Sequence, residues 1–199
     1  MDGNLTVLAL SHMGPENARF ALRPVFDADK YMRYLNDVIV TWKATDTLTL
    51  VTEANWIRDD FLGIFSKGKP APANAFGVAQ YFSYTMSDTV TLNVRAEVYK
   101  DDNNVFVASF MGNTDPVRAE LGFPAIRPLV TSQKPTTYGA ITVGLTFKPS
   151  LPAPVTGLLI RPELRVDTAL GGGQPFKDRG GVGTSSSAIT IASDFVLTF

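Results

Sequence analysis

Ala188–Phe199 reads AITIASDFVLTF. Ile189, Ile191, Phe195, Leu197 and Phe199 fall on alternate positions, and Thr190, Ala192, Asp194 and Thr198 lie between them. A period of two is the pattern of a β-strand with one apolar and one polar face. The stretch runs to an aromatic residue with no polar tail, where a water-soluble chain end would fray. In a transmembrane barrel the same stretch is expected, because the final strand pairs with its neighbours and sets its aromatic end at the membrane interface.

Seven further segments repeat the alternation: Asn4–Ser11, Tyr31–Trp42, Leu48–Ile57, Ala75–Met86, Val90–Lys100, Tyr138–Lys148 and Leu158–Asp167. The connections between them run long, short, long, short, long, short, long. Brief turns on one side and extended loops on the other mark an antiparallel up-and-down transmembrane β-barrel. The expected fold is therefore all-β, a single domain over residues 1–199 with about eight strands. A motif recurs at the short turns, Asp46-Thr47-Leu48-Thr49-Leu50 and Asp88-Thr89-Val90-Thr91-Leu92, so the hairpin is the repeating unit. Two residues break the pattern. Pro162 lacks a ladder donor and predicts a bulge or a distorted pair, and Gln80 interrupts an apolar face.

Composition narrows the function. A formal net charge of −1 gives no bulk case for nucleic acid. Cysteine is absent, which removes disulfides, thiolate metal sites and thiol nucleophiles, and the one histidine, His12, cannot build a histidine metal cluster. No apolar run reaches the roughly 18 residues of a membrane helix. Met1-Asp2-Gly3-Asn4 is not a signal peptide, so an exported protein would be represented here by a mature form or a fragment.

In a membrane barrel the apolar face looks out to lipid and the polar face looks in. Aromatic residues near strand ends (Trp42, Trp56, Tyr84, Phe147, Phe199) fit interface girdles, and Leu164 and Val196 are expected to face hydrocarbon. Glu53, Arg95, Glu97, Arg161, Glu163, Arg165 and Asp167 are then inner-wall residues. They either line a pore or fill a closed eight-stranded barrel as a salt-bridge ladder. A soluble lipocalin-like barrel is the remaining reading. Gly63–Lys69 has part of a phosphate-loop spacing, but Pro70 stands where a magnesium-binding hydroxyl belongs. Asp101-Asp102-Asn103-Asn104 reads as a solvated loop tip, with weak calcium binding as the other reading. No nucleophile has a base beside it, so no catalytic residue, cofactor or metal is expected.

The stretch Tyr81–Asn104 (YFSYTMSDTVTLNVRAEVYKDDNN), the LLIRPELRVD strand at Leu158–Asp167 and the terminal DFVLTF resemble the β-barrel porin family described as OmpL-like, or porin-2. Met13-Gly14-Pro15-Glu16 is similar to that family's Gly-Pro-Glu loop. The resemblance runs from about Leu5 to Phe199 and departs at Ala192, where assembly signals often have glycine. It implies a Gram-negative outer-membrane location, surrounding lipid as one partner, and passage of small hydrophilic solutes or ions. It also implies delivery to the barrel assembly machinery through Phe195, Leu197 and Phe199. Members are longer, so this chain would be the C-terminal part of such a porin. A closed structural or adhesive barrel with working external loops is the alternative within that resemblance.

Overall fold

The computed structural model describes residues 4–15, 32–60, 71–103, 106, 136–152, 156–171, 173–178 and 181–198. Seven long antiparallel strands come first: β1 (Leu5–Pro15), β2 (Met32–Lys43), β3 (Leu48–Asp59), β4 (Ala73–Thr85), β5 (Val90–Asp101), β6 (Thr136–Phe147) and β7 (Gly157–Ala169). A small hairpin follows, β8 (Phe176–Asp178) with β9 (Gly181–Ser185), and β10 (Ser187–Thr198) ends the series. Each long strand pairs with its predecessor, giving one sheet in the order β1-β2-β3-β4-β5-β6-β7-β10. The up-and-down architecture is as the alternating segments predict.

Two features differ from the sequence reading. The sheet is not closed, because the order has β1 and β10 at its two ends and no ladder joins them. The glycine-rich connection before the last strand is not all loop; it contains the β8–β9 ladder, too short to show a period of its own. Phe199, Gly63–Lys69 and Asn104 lie outside the described residues.

The faces are inverted relative to a water-soluble barrel. The large apolar side chains are exposed: Ile191 at 83%, Ile189 at 71%, Phe195 at 69%. Among the described residues the buried hydrophobic ones are four alanines (Ala73, Ala75, Ala79, Ala140) and Tyr138. Soluble proteins bury leucine and isoleucine and rarely expose apolar area on this scale. Register fixes which side chains share a face, since directly paired residues point the same way. Trp42 pairs with Leu50, Leu50 with Phe82, Phe82 with Val94, and Val94 with Val143, all on the outer face. Toward the loop end of that face, Trp56 stacks between Tyr34 and Phe76, with ring centroids 6.5 Å from each. Toward the turn end, Phe82 stacks on Tyr84 at 6.4 Å. Val196 corrects the sequence reading: it pairs with Leu159 two residues beyond Asp194, so an unbroken period of two turns it inward.

Both irregular residues have a physical account. Gln80 is opposite Thr52, whose hydroxyl donates to Gln80 Oε1 at 2.7 Å, while Gln80 Nε2 donates to the carbonyls of Val51 (3.0 Å) and Tyr81 (3.1 Å). The amide is thus satisfied within the sheet, as a polar group at a lipid face must be. Pro162 interrupts the β6–β7 ladder, which pairs Gly144 with Glu163 and Phe147 with Ile160 but nothing between. On its other side Pro162 remains paired with Ser193. The repeated turns are alike: the Thr45 hydroxyl accepts from Thr47 and Leu48 N–H, and the Ser87 hydroxyl accepts from Thr89 N–H.

Candidate functional site

The polar positions of β3, β5 and β7 meet over strands with small inner faces. On β4 the inward residues include Ala73, Ala75, Gly77 and Ala79; on β6 they include Ala140, Thr142 and Gly144. Neighbouring strands lie about 4.8 Å apart, so side chains two strands away must cross about 10 Å. Small residues between them leave that path open. Arg165 of β7 accordingly reaches Glu97 of β5 over Ala140 and Thr142, and donates to Thr142 Oγ1 at 3.4 Å on the way.

Six of the seven expected residues lie in bonded groups, and all seven are on the inner face. Glu97 sits between two arginines: Arg95, two residues along its own strand, and Arg165. Arg165 also donates from Nε and Nη2 to Asp167, the latter at 2.7 Å. The Arg95 guanidinium lies over the Tyr81 ring, 5.2 Å from its centroid, a cation–π contact. Tyr81 in turn donates its hydroxyl to Glu53 Oε2 at 2.8 Å. A chain of contacts thus runs Glu53–Tyr81–Arg95–Glu97–Arg165–Asp167 across five adjacent strands. Arg161 forms a separate two-pronged pair with Asp194, its Nε at 2.7 Å. Glu163 has no ion pair among the described residues.

These residues line two adjoining concavities of about 790 and 640 Å³, which share Glu53, Arg95 and Arg165. The second opens toward the loop end. Phe176 of the β8–β9 hairpin lines it and meets Tyr138 edge to face at 6.2 Å; Phe106, from the β5–β6 connection, lines it too. Phe106 N–H donates to Asp101 Oδ2 at 2.7 Å, which ties that connection to the wall. Among the described residues no group of three or more His, Asp or Glu side chains could hold a metal ion.

Several contributors are visible only in three dimensions. Tyr81 was not singled out in the sequence, yet it is directly opposite Arg95 on the inner face. Asp194 pairs with Arg161 once β10 is aligned against β7, an alignment that the opposite charges could have suggested. Arg33, on the polar face of the second segment, and Asp59, in a stretch that reads as loop, are 2.6 Å apart at the loop end of β2 and β3.

The model of one family, described as "Putative beta-barrel porin-2, OmpL-like", matches residues 1–199, the whole chain. No curated protein and no solved structure matches.

Proposed function

Because the chain belongs to this β-barrel porin family, we propose that it forms the wall of an outer-membrane pore for passive diffusion of small hydrophilic solutes or ions. The observation that carries the reading is the inverted sheet. Large apolar side chains cover one face, and an ion-paired network borders open space on the other. Conduction needs no catalytic group and no cofactor. The location is the outer membrane of a Gram-negative bacterium, with lipid around the outer face. Phe195, Leu197 and Phe199 are the contact for the assembly machinery.

A bare sheet edge is not stable in hydrocarbon, because its N–H and C=O groups have no partner there. The pore reading therefore requires β1 and β10 to be paired in the membrane, with further strands of a longer barrel as the arrangement that keeps the lumen open. A closed structural or adhesive barrel is favoured by a different observation: eight long strands, if closed on themselves, leave an interior that side chains fill. Planar-bilayer recording separates the two. The pore reading expects stepwise ohmic conductance on insertion, and an electrically silent protein that inserts normally would exclude it.

A further inference from the structure

We infer that the lumen prefers cations over anions, an inference that rests on the pore reading above. The charge of the whole chain, −1, conceals a division between the two faces of the sheet. Along the eight long strands the inward positions carry five basic residues, Arg33, Lys43, Arg95, Arg161 and Arg165. The same positions carry eight carboxylates: Asp37, Glu53 and Asp59 on β2 and β3, Glu97 and Asp101 on β5, and Glu163, Asp167 and Asp194 on β7 and β10. The surplus is three negative charges. The outward positions hold the opposite balance, Arg58 and Lys100.

Pairing decides which charges a passing ion meets. All four inner arginines are matched: Arg33 with Asp59, Arg95 with Glu97, Arg165 with Glu97 and Asp167, and Arg161 with Asp194. Asp101 is engaged by the N–H groups of Asn103 and Phe106. Glu53, Glu163 and Asp37 form no ion pair among the described residues. Glu53 accepts only from the Tyr81 hydroxyl, and Asp37 has a buried carboxylate oxygen with no hydrogen-bond donor. Asp37 also faces Asn55 across the β2–β3 ladder, where a second side-chain oxygen is buried without a donor. Glu53 and Glu163 border the same concavity from β3 and β7, four strands apart. Among the described residues of the strands the wall thus offers a mobile ion unpaired carboxylates and a single unpaired cation, Lys43 at the turn end.

The size of the effect follows from Coulomb interaction in water. One uncompensated carboxylate roughly 8 Å from an ion's path favours a monovalent cation over an anion by about fivefold without screening and by about twofold at 0.1 M salt, so Glu53 and Glu163 together give about fivefold there. Screening length falls from about 10 Å at 0.1 M salt to about 3 Å at 1 M, so the preference should shrink with salt. The test is the reversal potential of the full chain in a planar bilayer under a potassium chloride gradient. The expected result is a potassium-to-chloride permeability ratio of about five near 0.1 M, approaching one near 1 M. The double variant Glu53→Gln/Glu163→Gln should bring the low-salt ratio down toward two or below. Conductance with a ratio at or below one for the unaltered protein would overturn the cation preference and leave the pore intact. An unchanged ratio in a conducting double variant would overturn the assignment to these two carboxylates. Absence of any conductance would overturn the pore reading itself.

Discussion

Arg165→Met and Arg161→Met remove the same charge from the same face of β7, four positions apart, yet they should differ sharply in stability. Arg165 serves Glu97, Asp167 and Thr142 at once, with side-chain exposures of 26% for the arginine, 18% for Glu97 and 23% for Asp167. Removing one partner of a fully buried pair costs about 3–5 kcal/mol, because the other charge is left in low dielectric. Partial exposure of all three groups lowers that figure to about 2 kcal/mol, or about thirtyfold in the folding equilibrium. Arg161 and Asp194 are each about half exposed, so water replaces the lost partner and little should change. Urea unfolding in lipid vesicles, followed by the fluorescence of Trp42 and Trp56, reads both variants. The expected outcome is a lowered midpoint for Arg165→Met and a midpoint close to the unaltered protein for Arg161→Met. Equal shifts, or a larger shift for Arg161→Met, would refute the claim that the contacts across β6 hold the wall together.

Lysine at Ile191, which is 83% exposed on the outer face, should destabilise the inserted protein by about 2–4 kcal/mol, whereas lysine at the inward Thr190 should not. Heat-modifiable gel mobility after vesicle insertion compares the two. A methyl group added at Gly77 would lie 2.6 Å from Asn55 Oδ1, so Gly77→Ala should cost about 1 kcal/mol. Most of that loss should return in Gly77→Ala/Asn55→Ala, as a double-mutant cycle by urea titration would measure. Thr52→Val removes the donor to Gln80 Oε1 and should cost about 1 kcal/mol; the apolar pair Thr52→Val/Gln80→Leu should recover it in the same titration.

How far the sequence reached follows from which interactions are local. Alternation is a property of consecutive residues, so strands such as Val90–Asp101 and Gly157–Ala169 were legible to within a residue or two at each end. Turn chemistry is local as well, and the recurring Asp-Thr pair marked both tight turns, where Thr45 and Ser87 accept from the equivalent N–H groups of Thr47 and Thr89. Inward orientation of Glu53, Arg95 and Arg165 came from the same period. Partners did not. That Arg165 would choose Glu97, with a whole strand between them, depends on the registers of two ladders and on the small side chains of β6. The period of two sets Tyr81 on the face opposite Phe82 and Tyr84, but its contacts with Arg95 and Glu53 on neighbouring strands depend on register. The hairpin Phe176–Asp178 with Gly181–Ser185 was too short for any period to appear.

The small inner face of β6 constrains how this chain can vary. Ala140 and Thr142 carry no charge, yet the bond between Arg165 and Glu97 passes over them. A leucine or phenylalanine arising at Ala140 would be harmless to β6 taken alone and would still sever that bond. Neutral drift at such a position is therefore policed from two other strands, and a natural chain that gains bulk there should be found to have given up the arginine, the glutamate, or both.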